Sequence, residues 1–424
     1  MSWPPRFSTR MLAGLITVAL LLVAGALVLG RSGEPSGKTV VTVRLWDPAV
    51  AAAYAESFAE FTRSHPDIEV RTDIVAYASY FDTLRTDVAG GGADDIFWIN
   101  NANVAEYADN NRLMSIEPSA DWDPSVMAQF TRDGTLWGVP QLTDAGIAVY
   151  YNADLLAADG VDPADLDTLR WDPDPDLDTL RPMLKRLTHG RQWGYNAAND
   201  LQAIYLNYIG SAGGLFSVGD RFAFDNPQAV SAFNYIIGLI NTDHVAPPAS
   251  DTNDNGDFSR NQFLSGRMAL FQSGTYNLAQ VAERATFRWG VALLPTGPAG
   301  RVSVTNGIVA AGNPASRHPD AVRAVLAWLG STRGNEYIGR DGAAIPAVLP
   351  AQKVYFDHWS AKGVDVQPFF TVLDGPRIAA PGGAGFAAGY QAIKPYFDEM
   401  FLGRTPVPDA LATAQKAANT AASR

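Results

Sequence analysis

Apolar and polar positions alternate along Thr39 to Trp46 (TVVTVRLW), a β-rich stretch that predicts a first strand. From Ala49 to Ser64 the pattern changes. Apolar residues, Tyr54, Phe58 and Phe61 among them, recur at helical spacing, and the run stops before Pro66. Ile68 to Ile74 predicts a second strand, and Tyr80 to Val88 a second helix ended by Gly90-Gly91-Gly92. Asp95 to Ile99 (DIFWI) predicts a third strand, followed at once by Asn100-Asn101. Strands alternating with helices imply βαβ units and a parallel sheet. Ligands of such sheets sit beyond the carboxyl ends of the strands, which points at Asp47, Asn100 and Asn101. Farther on, strands are predicted at Ile147 to Tyr151 and Phe287 to Leu294, and at Val302 to Ala311 with an interruption at Asn306-Gly307. Helices are predicted at Asp200 to Ile209, Pro227 to Thr242, Asp257 to Arg267, Asp320 to Leu329, Ala384 to Phe401 and Pro408 to Ala422.

A different pattern opens the chain. Arg6 and Arg10 precede the uncharged run Met11 to Gly30, which at 20 residues is long enough to span a bilayer as a helix. A cleaved signal normally has a shorter apolar region and a small-x-small cleavage site, of which Ala24-Gly25-Ala26 is a poor version. The run therefore reads as a membrane anchor first and a cleaved signal second. Its positive flank stays in the cytoplasm, so the remainder faces outward. Arg31 to Lys38 (RSGEPSGK) is a flexible linker, which makes residues 1–38 a signal or anchor segment.

Composition narrows the function. With 424 residues, 47% hydrophobic and 18% charged, the chain holds enough apolar material for two sizeable cores. Its net charge of −12 repels phosphate backbones and argues against a nucleic-acid partner. The absence of cysteine removes disulfides, thiolate metal sites, thiol nucleophiles and the lipidated cysteine of bacterial lipoproteins. The five histidines are scattered, and no HExxH, GxSxG or GxxxxGK[ST] motif is present. Gly382 to Gly389 (GGAGFAAG) is glycine-rich but does not fit GxGxxG. Asp251 to Gly256 matches the first half of a calcium loop, yet its twelfth position is Gln262. A polar turn capping the next helix through Asp257 or Ser259 is the simpler reading. The alternating carboxylates of Asp172 to Asp178 read as a solvated loop, and DLDTLR, at Asp165 to Arg170 and again at Asp176 to Arg181, as a short surface duplication. No metal, cofactor or catalytic set is expected.

The order of motifs resembles the extracellular solute-binding proteins of carbohydrate ABC importers, the family that includes maltose-binding protein. The likeness runs from the opening strand ending at Trp46 through Ala89-Gly90-Gly91, Asp133-Gly134, Trp137-Gly138-Val139-Pro140 and Tyr150-Tyr151-Asn152. It continues through Trp171-Asp172, Gly194-Tyr195, the block Phe263, Gly266-Arg267-Met268-Ala269 and Gly274, then Leu294-Pro295, Asn306-Gly307 and Ile345-Pro346. Departures are Asp94-Asp95 in place of Pro-Asp, and the prolines after Trp171.

The resemblance implies a two-lobed α/β periplasmic-binding-protein fold with a hinge and a ligand cleft between the lobes. Lobe 1 would be residues 39–144 plus 302–347, and lobe 2 residues 145–301 plus 348–424. It implies a monomeric, non-enzymatic carrier on the outer face of the membrane, with a carbohydrate ligand and importer membrane subunits as partners. Ligand contacts would come from Asp47, Tyr80, Asn100, Asn101, Asp144, Asn196, Asp200, Gly274, Tyr276, Asn306 and Gly307. Each has a simpler reading too: Asp47 as a helix cap, Asn100 and Asn101 as an Asx turn, Tyr80 as core. Three of these candidates are carboxylates and none is Arg or Lys, which suits a neutral or amino sugar. Two other readings stay open. A binder of a glycerophosphodiester would need a cation in the cleft and one of a polyamine several carboxylates; a surface glycoside hydrolase would need a catalytic carboxylate pair.

Overall fold

The computed structural model describes residues 37–378 and 380–423. The anchor expected at residues 11–30 lies outside the described residues, and no described helix is long and apolar enough to cross a membrane.

The chain runs β1 (Thr39–Leu45), α1 (Pro48–Ser64), β2 (Ile68–Ile74), α2 (Tyr77–Gly90), β3 (Ile96–Asn100), α3 (Asn101–Ala108), β4 (Val139–Thr143) and β5 (Ala148–Asn152). There follow α4 (Pro227–Asn241), β6 (Leu270–Ser273), β7 (Trp289–Ala292), β8 (Gly307–Gly312), α5 (Pro319–Leu329), β9 (Ile345–Pro346), α6 (Phe386–Phe401) and α7 (Val407–Ala422). Shorter elements lie between them.

Lobe 1 is built on a six-stranded sheet in the order β9-β4-β8-β3-β1-β2. β1 pairs in parallel with both β2 and β3, whereas β8 runs antiparallel to β3 and β4. β3 lies inside the sheet, and its run Ile96 to Ile99 is buried throughout, as a strand covered on both faces requires. α1 starts where Asp47 accepts from the backbone N–H groups of Ala49 (2.8 Å) and Val50 (3.2 Å), with Pro48 preset for the first turn. Lobe 2 holds the three-stranded sheet β6-β5-β7, with α4 and α6 meeting through Phe233 and Phe397 beside Tyr205, and α7 joining the same core through Leu411 and Ala414.

The expected strand at Val302 to Ala311 is two strands. Ser303–Val304 pairs with Arg377–Ile378 in lobe 2, while β8 belongs to lobe 1. The interruption at Thr305-Asn306 is where the chain crosses between lobes. It crosses also at Asp144 to Ile147, between β4 and β5, and after β9, where Tyr355 and Trp359 join a lobe 2 core. The helix expected from Asp200 opens with a wide π turn, Leu201–Tyr205. The DLDTLR copies diverge. Asp178 of the second is buried, pairs with Arg181 and accepts from the Tyr235 hydroxyl (2.9 Å), so that copy is anchored to the core rather than solvated.

A buried polar network fastens the hinge side of lobe 1. The Tyr54 hydroxyl donates to Gln141 Oε1 (2.6 Å), Asn335 Nδ2 donates to the Gln141 carbonyl (2.9 Å), and Asn335 Oδ1 accepts from the Val348 N–H (3.1 Å). Asn335→Ala leaves the Gln141 carbonyl its second donor, the Ala347 N–H (3.0 Å), but strands the buried Val348 N–H, at a cost of about 1–3 kcal/mol. The expected result is a lower denaturation midpoint with unchanged ligand specificity; an unchanged midpoint would show that the network carries no stability.

Candidate functional site

A cavity of about 620 Å³ lies between the lobes. Its size and mixed lining suit one small polar ligand. Lobe 1 contributes Trp46 and Asp47 at the carboxyl end of β1, Tyr77 at the start of α2, and Asn100 at the carboxyl end of β3. The crossing segments contribute Thr143, Asp144 and Asn306, and lobe 2 contributes Asn196, Asn199, Asp200, Gln202 and Tyr276. A farther wall is formed by Thr252, Ser259, Arg260 and Gln280.

The lobe 1 wall is aromatic. Trp46 sits edge-on to Tyr80 (4.8 Å), Trp98 (5.0 Å) and Tyr77 (5.5 Å). Trp46, Trp98 and Tyr77 all line the cavity, and Tyr77 is the exposed one, at 58%. Tyr80, one turn on, is fully buried, and its hydroxyl serves the backbone carbonyls of Arg44 (3.1 Å) and Trp98 (3.0 Å). The exposed aromatic of this wall is therefore three residues from the expected Tyr80. From lobe 2 comes Tyr276, 41% exposed in a short 3-10 turn. Gly274 permits that turn from outside the cavity, since a Cβ there would sit 2.8 Å from a Tyr276 ring carbon. An exposed aromatic face from each lobe offers stacking to the apolar side of a sugar ring.

The carboxylates differ in their surroundings. Asp47 both caps α1 and lines the cavity. Asp144 lies on the first crossing, where its backbone N–H donates to the Asn306 carbonyl (2.8 Å) and its Oδ2 accepts from Gln202 Nε2 (3.1 Å). Burial pushes the Asp144 carboxyl up to about 6, the Gln202 hydrogen bond opposing and the Asp47 charge adding. Asp200 caps the π turn by accepting from the Ala203 N–H (2.8 Å), and burial raises its pKa as well. The π turn thus presents Asp200 and Gln202 to the same cavity, a use to which such turns are often put.

The remaining candidates separate clearly. Asn100 lines the cavity, with its Oδ1 occupied by Asn103 Nδ2 (2.7 Å). Asn196 lines it too, but Nδ2 donates to the Gln272 carbonyl (2.9 Å) and Oδ1 accepts from the Gln272 N–H (2.7 Å), so its amide is committed to the fold. Gly307 turns toward lobe 1, where a Cβ would meet Val126 at 2.6 Å. Asn101 is outside the lining and bonds to the other lobe.

Three participants have no signature in the sequence: Tyr77, Gln202 and Arg260. The expected candidates include no Arg or Lys, yet one cation is in the lining. Arg260 lines the far wall, paired with Asp257 at 2.9 Å, with its buried Nε lacking a protein partner. The buried hydroxyls of Thr252 and Ser259 in this wall lack one too. Buried polar atoms normally find a partner, so the wall is suited to hydroxyl groups supplied by a ligand. Asp257 stands at the helix start as expected, but its side chain makes the ion pair instead of a cap. Among the described residues no group of three or more His, Asp or Glu is arranged to hold a metal ion.

Comparison with known proteins places this geometry. The profile of the family described as bacterial extracellular solute-binding protein matches residues 47–336. The chain is 23% identical over 369 residues to the arabinooligosaccharide-binding protein of Bacillus subtilis, covering 82% of this chain and 80% of that one. It is 72% identical to M. tuberculosis UspC, whose crystal structure covers 90% of this chain and 100% of its own, with a TM-score of 0.76. A Listeria monocytogenes ABC substrate-binding protein in complex with cycloalternan is 19% identical, with a TM-score of 0.79 over 90% of this chain and 98% of its own, a likeness of fold.

A carboxyl whose folded-state pKa exceeds its unfolded value of roughly 3.9 favours folding fully below that value. The favour is lost as pH rises through about 6, the folded value at Asp144. Asp144→Asn should therefore stabilise the chain above pH 6 by on the order of 1–3 kcal/mol, with the gain vanishing near pH 4. Denaturation midpoints across that range check this; a gain equal at every pH would contradict it.

Proposed function

The chain belongs to the bacterial extracellular solute-binding proteins, the substrate-binding components of sugar ABC transporters, and is not an enzyme; from that membership we propose that it captures an amino sugar by lobe closure. The observation that carries this reading is the meeting of Asp144 and Asp200 with Tyr77 and Tyr276 in one interlobe cavity. A protonated amine between the carboxylates would form charge-assisted hydrogen bonds, each worth about 1.5–3 kcal/mol. The tyrosine rings would cover the apolar face of the pyranose, and the far-wall hydroxyls would pair with its hydroxyl groups.

In this reading lobe 1 is residues 39–144 with 305–347 and lobe 2 residues 145–304 with 348–424, so that Ser303–Val304 stays with its partner strand in lobe 2. Ligand touching both lobes stabilises the closed arrangement, and closure is what the importer's membrane subunits sense. The protein acts as a monomer on the outer face of the membrane, held there by residues 11–30.

Arg260 is the one observation on the side of a second reading, a glycerophosphodiester. Its guanidinium is already paired with Asp257, and Asp47, Asp144 and Asp200 line the same cavity. A phosphate beside those carboxylates would meet repulsion and desolvation together, which favours the cationic ligand.

Calorimetry with glucosamine-type sugars, neutral disaccharides and glycerophosphocholine tests the assignment. The amino sugars should bind. Asp144→Asn and Asp200→Asn should each weaken them about 10- to 100-fold, because a charged partner is lost, while neutral analogues change far less. Tight binding of the phosphodiester with none of the sugars would refute it.

A further inference from the structure

The glycine-rich run Gly382 to Gly389 fits no phosphate loop, and none of its residues lines the cavity. It joins the short strand Arg377–Ile378 to α6, in lobe 2. Four of its glycines stand at close approaches. A Cβ on Gly383 would run into the Asp220 carboxylate, one on Gly385 into the backbone of Ala422 in α7, and one on Gly389 into the Phe222 ring. Those contacts stay within lobe 2 and seat the segment firmly, as does the stacking of Phe386 on Phe222 (5.3 Å) and on Tyr390 (5.7 Å).

The fourth contact crosses to lobe 1. A Cβ on Gly382 would lie 2.7 Å from the Asn101 carbonyl oxygen and 2.8 Å from Asn101 Nδ2. At the same place Asn101 Nδ2 donates to the carbonyls of Ala380 (3.0 Å) and Pro381 (3.3 Å). The next residue, Ala102, packs against the lobe 2 core, whereas Val104, Tyr107 and Ala108 of the same helix belong to lobe 1. The first turn of α3 thus docks on the other lobe, backbone against backbone, because residue 382 has no side chain.

We propose that Asn101 and the segment Ala380 to Gly385 form a ligand-independent clasp that sets the lobe angle of the free protein, with Asn101 as a positioning residue. The contact lies apart from the three chain crossings, so it can break where they cannot. A clasp that keeps part of the free population closed reduces the share of binding free energy spent on closure. The idea needs the lobes to move but does not depend on which solute binds.

The chain has no cysteine, so Arg323→Cys in lobe 1 and Asp409→Cys in lobe 2 accept a unique pair of spin labels. Electron–electron distance measurements on the labelled full chain without any sugar compare the parent with Asn101→Ala and, separately, with Gly382→Val. Thermal melting confirms that each variant is folded. Both variants should shift the interlobe distances to longer values. Asn101→Ala should also weaken binding of each sugar the parent binds by about two- to tenfold, with their ranking kept. Distance distributions that superimpose on the parent's would overturn the clasp, and they do so whether or not amino sugars bind.

Discussion

The hydrogen bond from the Asp144 N–H to the Asn306 carbonyl, 2.8 Å long, joins two of the segments that pass between the lobes. Both of its residues line the interlobe cavity. On one side stand the carboxyl ends of β1 and β3, with Asp47 and Asn100; on the other stand the π turn and the Tyr276 turn. Both crossings leave regular strands and enter regular strands, β4 to β5 and Ser303–Val304 to β8, so only a few irregular residues stand between the sheets. Under the proposed closure, crossings of this kind would let two preformed half-sites meet without refolding either one.

The position of Asp144 follows from that constraint and explains its chemistry. A side chain on a hinge segment is surrounded by both lobes, and desolvation drives its carboxyl up to about 6. Gln202 opposes the shift with a single hydrogen bond, and Asp47 reinforces it from the helix cap. Carboxylates held in this way are costly to the free protein and gain most from a ligand cation. The far wall repeats the theme with Thr252, Ser259 and Arg260, whose buried polar atoms lack partners within the protein. In the proposed reading these unsatisfied groups are what a polar solute would pair with.

Strand alternation and helical spacing made β1 to β3, and hence the cavity edge at Asp47 and Asn100, legible from the sequence, because ligands gather beyond the carboxyl ends of parallel strands. The interruption near Asn306 was visible as well, one residue from where it falls, because Gly307, expected to break the strand, begins β8 instead. Tyr77 was not. It shares the helical stripe of Tyr80 and Leu84, and only the tertiary position of the first turn of α2, beyond the sheet, exposes one ring and buries the other. Asn196 reads as a free amide in the sequence, yet Gln272 occupies both its ends. Gln202 depends on a π turn that periodicity does not encode, and Arg260 on how a seven-residue helix packs. The glycines of residues 382–389 are the opposite case: a clear signal whose meaning lies in close approaches between segments far apart in sequence.

The central claim is that a cationic sugar is held between Tyr77 and Tyr276 and paired by the hinge-side carboxylates. A crystal structure of the chain with a bound glucosamine-type sugar tests it most directly. The account predicts the ligand nitrogen at about 2.7–2.9 Å from an oxygen of Asp144 or Asp200, with the sugar ring against one or both tyrosines. A sugar seated outside the interlobe cavity, or inside it with its nitrogen facing Arg260 and away from both carboxylates, would contradict it.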